Sequence, residues 1–296
     1  MTQFVQQVVA GLGDGAIYAS LALALVLIYR ATHVINFAQG EMGMFSTYIA
    51  YALIVHHGWS FWPAFVFTIF VSFVGGAAIQ QTVIRPLARA GELTIVMATI
   101  ALLVLLNGLA SWIWLPDEKI LPNPFPTGTW SIGDVQIPQQ SVYNLVIVLA
   151  CVVLLWLLFN FTKLGLALRA SAVNPVASRL LGVRVTWMLA LGWGFAAALS
   201  AVAGILAASA QFVFTPTFMQ VTIIYAFAAA VVGGIESPLG AVVGGLALGV
   251  TINLLGTYLD EFVTPDMRLP VALAILLVVL ILRPAGVLGR TVVRRV

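Results

Sequence analysis

Long apolar runs, separated by short polar or glycine- and proline-bearing breaks, fill the chain from end to end. They fall at 8–29, 35–55, 61–83, 93–115, 142–161, 187–213, 221–235, 239–259 and 269–282. A bilayer core of roughly 30 Å takes about 20 apolar residues per helix, so most of these runs predict spanning helices. At roughly 15 residues, 221–235 falls below the usual span length and reads as a tilted helix end or a re-entrant piece. The pattern therefore predicts an all-α fold, a polytopic transmembrane helical bundle of about 8–9 spans. Residues 1–7 carry no Lys or Arg and no small-residue cleavage pattern follows, so the first run is expected to stay as a span.

Composition agrees with the pattern. Of 296 residues, 62% are hydrophobic and 8% charged, with a mean hydropathy of +1.09. A soluble domain carries about 25% charged residues, so soluble enzymes, nucleic-acid binders and disulfide-knit secreted folds are excluded. The single cysteine, Cys151, lies in an apolar run and has no internal partner.

The 13 Lys and Arg residues are distributed unevenly. With the C-terminus cytoplasmic, the inside segments collect Arg30, Arg85, Arg89, Lys163, Arg169, Arg179, Arg184, Arg283, Arg290, Arg294 and Arg295. Lys119 and Arg268 alone fall outside, among Asp117, Glu118, Asp134, Asp260, Glu261 and Asp266. Basic residues resist translocation, so this bias sets the orientation, and the net charge of +3 reports cytoplasmic loops. Nine spans would then place the N-terminus outside.

The outside loop 116–141 holds Pro116, Pro122, Pro124, Pro126 and Pro138 with Gly128 and Gly133. Prolines remove donors and fix φ, which predicts an ordered, irregular periplasmic cap, either a docking face or a connector. Inside the apolar runs, Gly233, Gly234, Gly240, Gly244, Gly245 and Gly249 are spaced to let helix backbones approach closely in lipid.

A charge at bilayer depth costs about 2.5 to 3.5 kcal/mol on insertion scales, so buried ones are candidates for function. Asp14 lies close enough to the outer interface to be hydrated. Glu41 ends a segment in which Asn36, Gln39 and Glu41 crowd together directly after Arg30. Such polar breaks are tolerated where they are buried in protein or line a wet cavity, so Asn36, Gln39 and Glu41, with Asn107 in the fourth run, are candidates for a translocation pathway. Asn107 and Asn253 are the weaker cases, because a neighbouring helix can satisfy a single amide. His33, His56 and His57 form no metal-binding pattern, and no phosphate-cradling loop occurs, so no cofactor is expected on this chain.

The segment 162–186 is the most charged and best punctuated. Asn174 is a favoured N-cap, Pro175 suits the first helical position and Gly182 is placed as a stop, which predicts a short surface helix. Val176, Leu180 and Leu181 share one face, with Ser178 and Arg179 elsewhere. That face either enters a partner's groove or lies on the inner leaflet with Arg169, Arg179 and Arg184.

Several blocks together resemble a family. The opening Gly11-Leu-x-x-Gly15-x-x-Tyr18-Ala-x-x-Ala22, then Leu27-Ile-Tyr29, Val34-Ile-Asn36-Phe-Ala and Gly40-Glu41, is similar to that of LivH-type permeases, the membrane subunits of branched-chain amino acid ABC transporters. So are Gly165-x-x-x-Arg169-Ala through Asn174-Pro175-x-Ala177 to Gly182-Val183, then Gly233-Gly234-Ile-x-Ser237-Pro-x-Gly240-Ala with Gly244-Gly245, and Arg283-Pro284-x-Gly286 with Gly289. The resemblance implies a single permease domain over 1–296 in a bacterial inner membrane, importing branched-chain or other hydrophobic amino acids. It implies a second permease of LivM type, two cytoplasmic ATPases that carry ATP and Mg, and a periplasmic binding protein as partners. On that view Arg169, Asn174, Pro175, Val176, Leu180, Leu181 and Gly182 belong to the element that couples to an ATPase. Glu236 departs from the pattern, standing where a small residue is expected, and 116–141 carries no motif that maps to a substrate. Related systems move urea, short amides or aromatic acids. The rival class is an ion-gradient-driven transporter or channel using Glu41 or Asp14; a third is a structural membrane scaffold.

Overall fold

The computed structural model describes residues 2–88, 90–126, 128–211, 213–259 and 262–289. Arg89, Asp260, Glu261, Arg290, Arg294 and Arg295, used above for orientation, lie outside the described residues. The helices run in the order α1 (Thr2–Thr32), α2 (Gln39–Tyr51), α3 (Phe61–Ile79), the single turn α4 (Arg85–Leu87), α5 (Glu92–Trp114), α6 (Gln139–Phe161), α7 (Lys163–Val173), α8 (Pro175–Leu180), α9 (Val185–Ala210), α10 (Met219–Gly233), α11 (Pro238–Tyr258) and α12 (Arg268–Leu282). Short π-helical stretches, Ala52–His56 and Gln80–Ile84, prolong α2 and α3.

Among the described residues, 7 helical stretches are long and apolar enough to cross a bilayer: Thr2–Thr32, Phe61–Leu87, Glu92–Trp114, Gln139–Phe161, Val185–Ala210, Pro238–Tyr258 and Pro265–Leu282. The polytopic helical bundle expected from the sequence is the observed architecture. The runs 35–55 and 221–235 form the shorter helices α2, of 13 residues, and α10, of 15. In α2 the helix begins only at Gln39, because the polar segment before it is spent on a turn.

The chain divides into two compact units. One comprises Leu27–Pro124 and Leu149–Gln220. Its centre is α9, a helix rich in Ala, Gly and Ser and buried along most of its length. Small residues let α2 and α3 pack against it at backbone distance. A Cβ on Gly43 of α2 would stand 2.6 Å from the Ser200 carbonyl oxygen, and one on Gly76 of α3 would stand 2.6 Å from that of Trp193. From the other side, Gly204 and Gly194 of α9 meet Gly43 and Phe73. Outward, α5 presents Val104, Leu105, Trp112 and Ile113, as a lipid-facing or subunit-facing helix must.

The second unit comprises Met1–Val26, Phe125–Val148 and Val221–Val296. Here α1 and α11 cross through Gly11, Gly15, Gly245 and Gly249, and α10 and α11 cross through Gly233, Gly240 and Gly244. The segment after α12 returns to this junction: Val287 N–H donates to the Val232 carbonyl at 2.8 Å and Leu288 N–H to that of Gly233 at 3.1 Å. Gly234, at φ +110°, and Gly286, at φ +79°, sit against each other there in conformations that side chains resist.

The proline-rich loop 116–141 is not a helix, but it is less irregular than its prolines suggest. It contains a hairpin, β1 (Thr129–Ile132) paired antiparallel with β2 (Val135–Pro138). Gly133 opens the two-residue turn at φ +61°, and Asp134 after it has no positive φ, the pattern of a type II′ turn. Pro138 ends the strand, where its missing donor costs no ladder bond.

Candidate functional site

Between α1 and α2 the chain turns through His33, whose φ of +56° lies in the left-handed region that histidine tolerates. Asn36 then closes an Asx-type turn, its Oδ1 accepting the Ala38 N–H at 3.1 Å. Its Nδ2 donates to Gln39 Oε1 at 2.7 Å and towards Met42 Sδ at 3.5 Å. Gln39, fully buried, donates in turn to Ser200 Oγ at 2.6 Å and to the Ala196 carbonyl at 3.0 Å. Both amides thereby spend their donors inside the protein. This network pins the start of α2 onto α9.

Glu41 is two residues beyond Gln39, hence on the other side of α2. It is only 3% exposed. Asn107 of α5 donates to its Oε2 at 3.3 Å and to the Pro216 carbonyl at 2.9 Å, and Gln220 also hydrogen-bonds the carboxylate. The four polar residues singled out in the sequence thus divide into two separate pairs. Gln39, oriented by Asn36, ties α2 to α9; Glu41 and Asn107 join α2, α5 and the 216–220 segment. Ser200 and Gln220 belong to these networks and were not visible in the sequence, because a lone Ser in an alanine-rich run and a Gln at a run's edge carry no signal of their own.

The segment 162–186 holds two short helices. Thr162 caps α7, its hydroxyl accepting the Gly165 N–H at 3.0 Å. Gly165 must be small, since its Cβ would meet the Phe159 backbone within 2.5 Å. Asn174 ends α7 and caps α8 through Oδ1, which accepts the Ala177 N–H at 2.9 Å; Pro175 is the first residue of α8. Gly182, at φ +83°, follows as the stop. Arg169 on α7 reaches back to Asn160 Oδ1 at 3.3 Å. Ser178 is buried, while Val176, Leu180 and Leu181 are 67%, 85% and 84% exposed, with Arg179 exposed beside them. Val173, at the end of α7, is exposed as well.

Glu236 is exposed beside Ser237, whose side chain caps α11 by accepting the Gly240 N–H at 3.0 Å. An acid is therefore accommodated where a small residue was expected. The glycine blocks near residues 233–245 and 283–289 form the junction described above, so they mark packing.

The family described as "Branched-chain amino acid transport system / permease component" matches residues 7–280. The chain is 30% identical over 306 residues to the High-affinity branched-chain amino acid transport system permease protein LivH of Escherichia coli K12, across 99% of this chain and 98% of that one. It is 33% identical over 305 residues to the permease protein BraD of Pseudomonas aeruginosa, again across 99% and 98%. To the Probable branched-chain amino acid transport permease protein LivH of Methanocaldococcus jannaschii it is 29% identical over 292 residues, across 93% and 91%. Multi-pass helical architecture and a family match over nearly all of its length lead to one conclusion: the chain belongs to the permease components of branched-chain amino acid transport systems.

Proposed function

We propose that this chain forms one half of the membrane pore of an ATP-driven importer for branched-chain and other hydrophobic amino acids in a bacterial inner membrane. The observation that carries the reading is the family match over residues 7–280. A second permease of LivM type completes the pore, a periplasmic binding protein delivers the solute, and two cytoplasmic ATPases hold ATP and Mg. This chain performs no bond chemistry. Lys163, Arg169, Arg179 and Arg184 keep the 162–186 segment on the cytoplasmic side, where the exposed face of α8 docks on an ATPase. Docking that differs between two pore conformations is what lets ATP binding drive alternating access.

Family membership favours this reading over a gradient-driven transporter that uses Glu41 or Asp14. A mild-detergent pull-down of the tagged chain from its native membrane, read by mass spectrometry, tests it. Recovery of a second permease and two ATPases is expected; recovery of the chain alone, or of a homo-oligomer, overturns the proposal.

Glu41→Gln provides a separate check on the pathway. The amide can still accept from Asn107, so the fold should persist while the charge is lost. Uptake by membrane vesicles is expected to fall, and uptake at the wild-type rate would show that Glu41 only ties α2 to α5.

A further inference from the structure

In the unit that contains α1, α10, α11 and α12, a second polar cluster is unrelated to Glu41. Asp14 lies on α1 between Gly13 and Gly15, two glycines pressed against Ser141 and against Gly245 and Leu246. Close packing at both neighbours fixes the α1 backbone here, while Asp14 itself is exposed at the surface of the chain. Asn253 of α11 donates to its Oδ2 at 3.4 Å. One turn along the same face of α1, Tyr18 stacks on Tyr225 of α10, with ring centroids 4.9 Å apart. The guanidinium of Arg268, in the first turn of α12, lies within electrostatic reach of Asp14, Tyr18 and Tyr225. It lies over Gly256 of α11, where an added Cβ would stand 3.0 Å from its Nε. That Nε is buried and has no hydrogen-bond partner, and no ion pair closes between Arg268 and Asp14.

A carboxylate and a guanidinium held near each other but unpaired, beside a stacked pair of phenol rings, match the two charges and the apolar body of one small solute. An exposed carboxylate on a spanning helix is costly against lipid, so this face meets interfacial water, the solute path or another subunit. We infer that Asp14, Arg268, Asn253, Tyr18 and Tyr225 form a binding station for a zwitterionic α-amino acid on its way through the pore. Asp14 receives the ammonium group, the fork of Arg268 receives the carboxylate, and the ring pair lies along the side chain. The station rests on the proposed amino-acid import and adds to it where on this chain the solute is held.

The test uses the whole transporter, purified with its partners and reconstituted into proteoliposomes with the leucine-loaded binding protein. Asp14→Asn keeps an acceptor for the hydrogen bond from Asn253, and Arg268→Gln keeps a polar group at the depth of Nε while removing the charged fork. Each is expected to lower leucine uptake about tenfold or more while recovery of the partner subunits stays at the wild-type level. Asp14→Glu and Arg268→Lys, which restore the charge, are expected to recover part of the rate. Wild-type leucine import that both neutral variants retain overturns the station alone. Loss of uptake that tracks loss of the partner permease also overturns it, and assigns the cluster to a subunit interface. Wild-type transport of urea but of no amino acid overturns the station together with the substrate reading.

Discussion

Leu180→Asp, or Leu181→Asp, is expected to abolish ATP-coupled uptake while the chain accumulates in the membrane at its normal level. Both side chains are more than four-fifths exposed, so an aspartate there meets water and disturbs no packing within the chain. In the proposed docked state the same position would be enclosed by an ATPase. A leucine buried in an apolar groove contributes about 1.5 to 3 kcal/mol. An unpaired carboxylate in its place adds a desolvation cost of a further several kcal/mol. Together these are enough to weaken docking by more than a hundredfold, since each 1.4 kcal/mol is a factor of ten. Vesicle uptake should disappear, and the ATPases should no longer co-purify with the chain. Full uptake by either variant would place the docking surface elsewhere.

That prediction rests on signals that were legible in the sequence because they are local. An Asn followed by Pro before a short apolar pattern, with Gly at its end, specifies a capped helix from within a single turn, and Asn174, Pro175 and Gly182 occupy those places. The spanning helices were legible for the same reason, since a run of apolar residues needs no distant partner to become a helix in lipid. The α7 helix was hidden: 163–173 mixes apolar and basic residues and lies beside a long span. The hairpin 129–138 was masked by the prolines around it, although Gly133-Asp134 is the kind of pair that opens a tight turn.

Tertiary pairing was illegible. Asn36, Gln39 and Glu41 lie within six residues and read as one polar cluster, yet Gln39, held by Asn36, reaches α9 while Glu41 meets Asn107 of α5. Which side of a helix meets which neighbour is decided by elements far along the chain, as in the contact of Asn253 with Asp14. Asp14 looked interfacial on the basis of depth alone. Its placement beside Asn253 and near Arg268 gives it a chemical setting that no spacing rule encodes.

The glycines were read as packing residues without partners, and the structure now assigns the partners. Gly249→Ala, and more strongly Gly249→Leu, is expected to cost the chain its folded state. A Cβ on Gly249 would stand 2.5 Å from the Gly11 carbonyl oxygen and nearer still to the Gly15 backbone, and one on Gly245 would stand 2.5 Å from the Cα of Ala19. These obstacles are backbone atoms of α1, which cannot swing aside as a flexible side chain can, so the α1 and α11 axes must separate. Separation forfeits the close van der Waals contact that holds helices together in lipid, where no hydrophobic force replaces it. Overpacking costs about 1 to 3 kcal/mol even where a core can adjust, and a spread crossing also loses the contacts of Gly11, Gly15 and Gly245. Gly75→Ala and Gly108→Ala serve as controls, because a Cβ at either position meets nothing within 4 Å. In detergent, the monodisperse fraction on size exclusion should collapse for the Gly249 and Gly245 variants and hold for the controls. Equal behaviour of the two sets would mean that α1 and α11 do not cross at these glycines. The station at Asp14, which depends on that crossing to bring Asn253 alongside, would lose its basis with it.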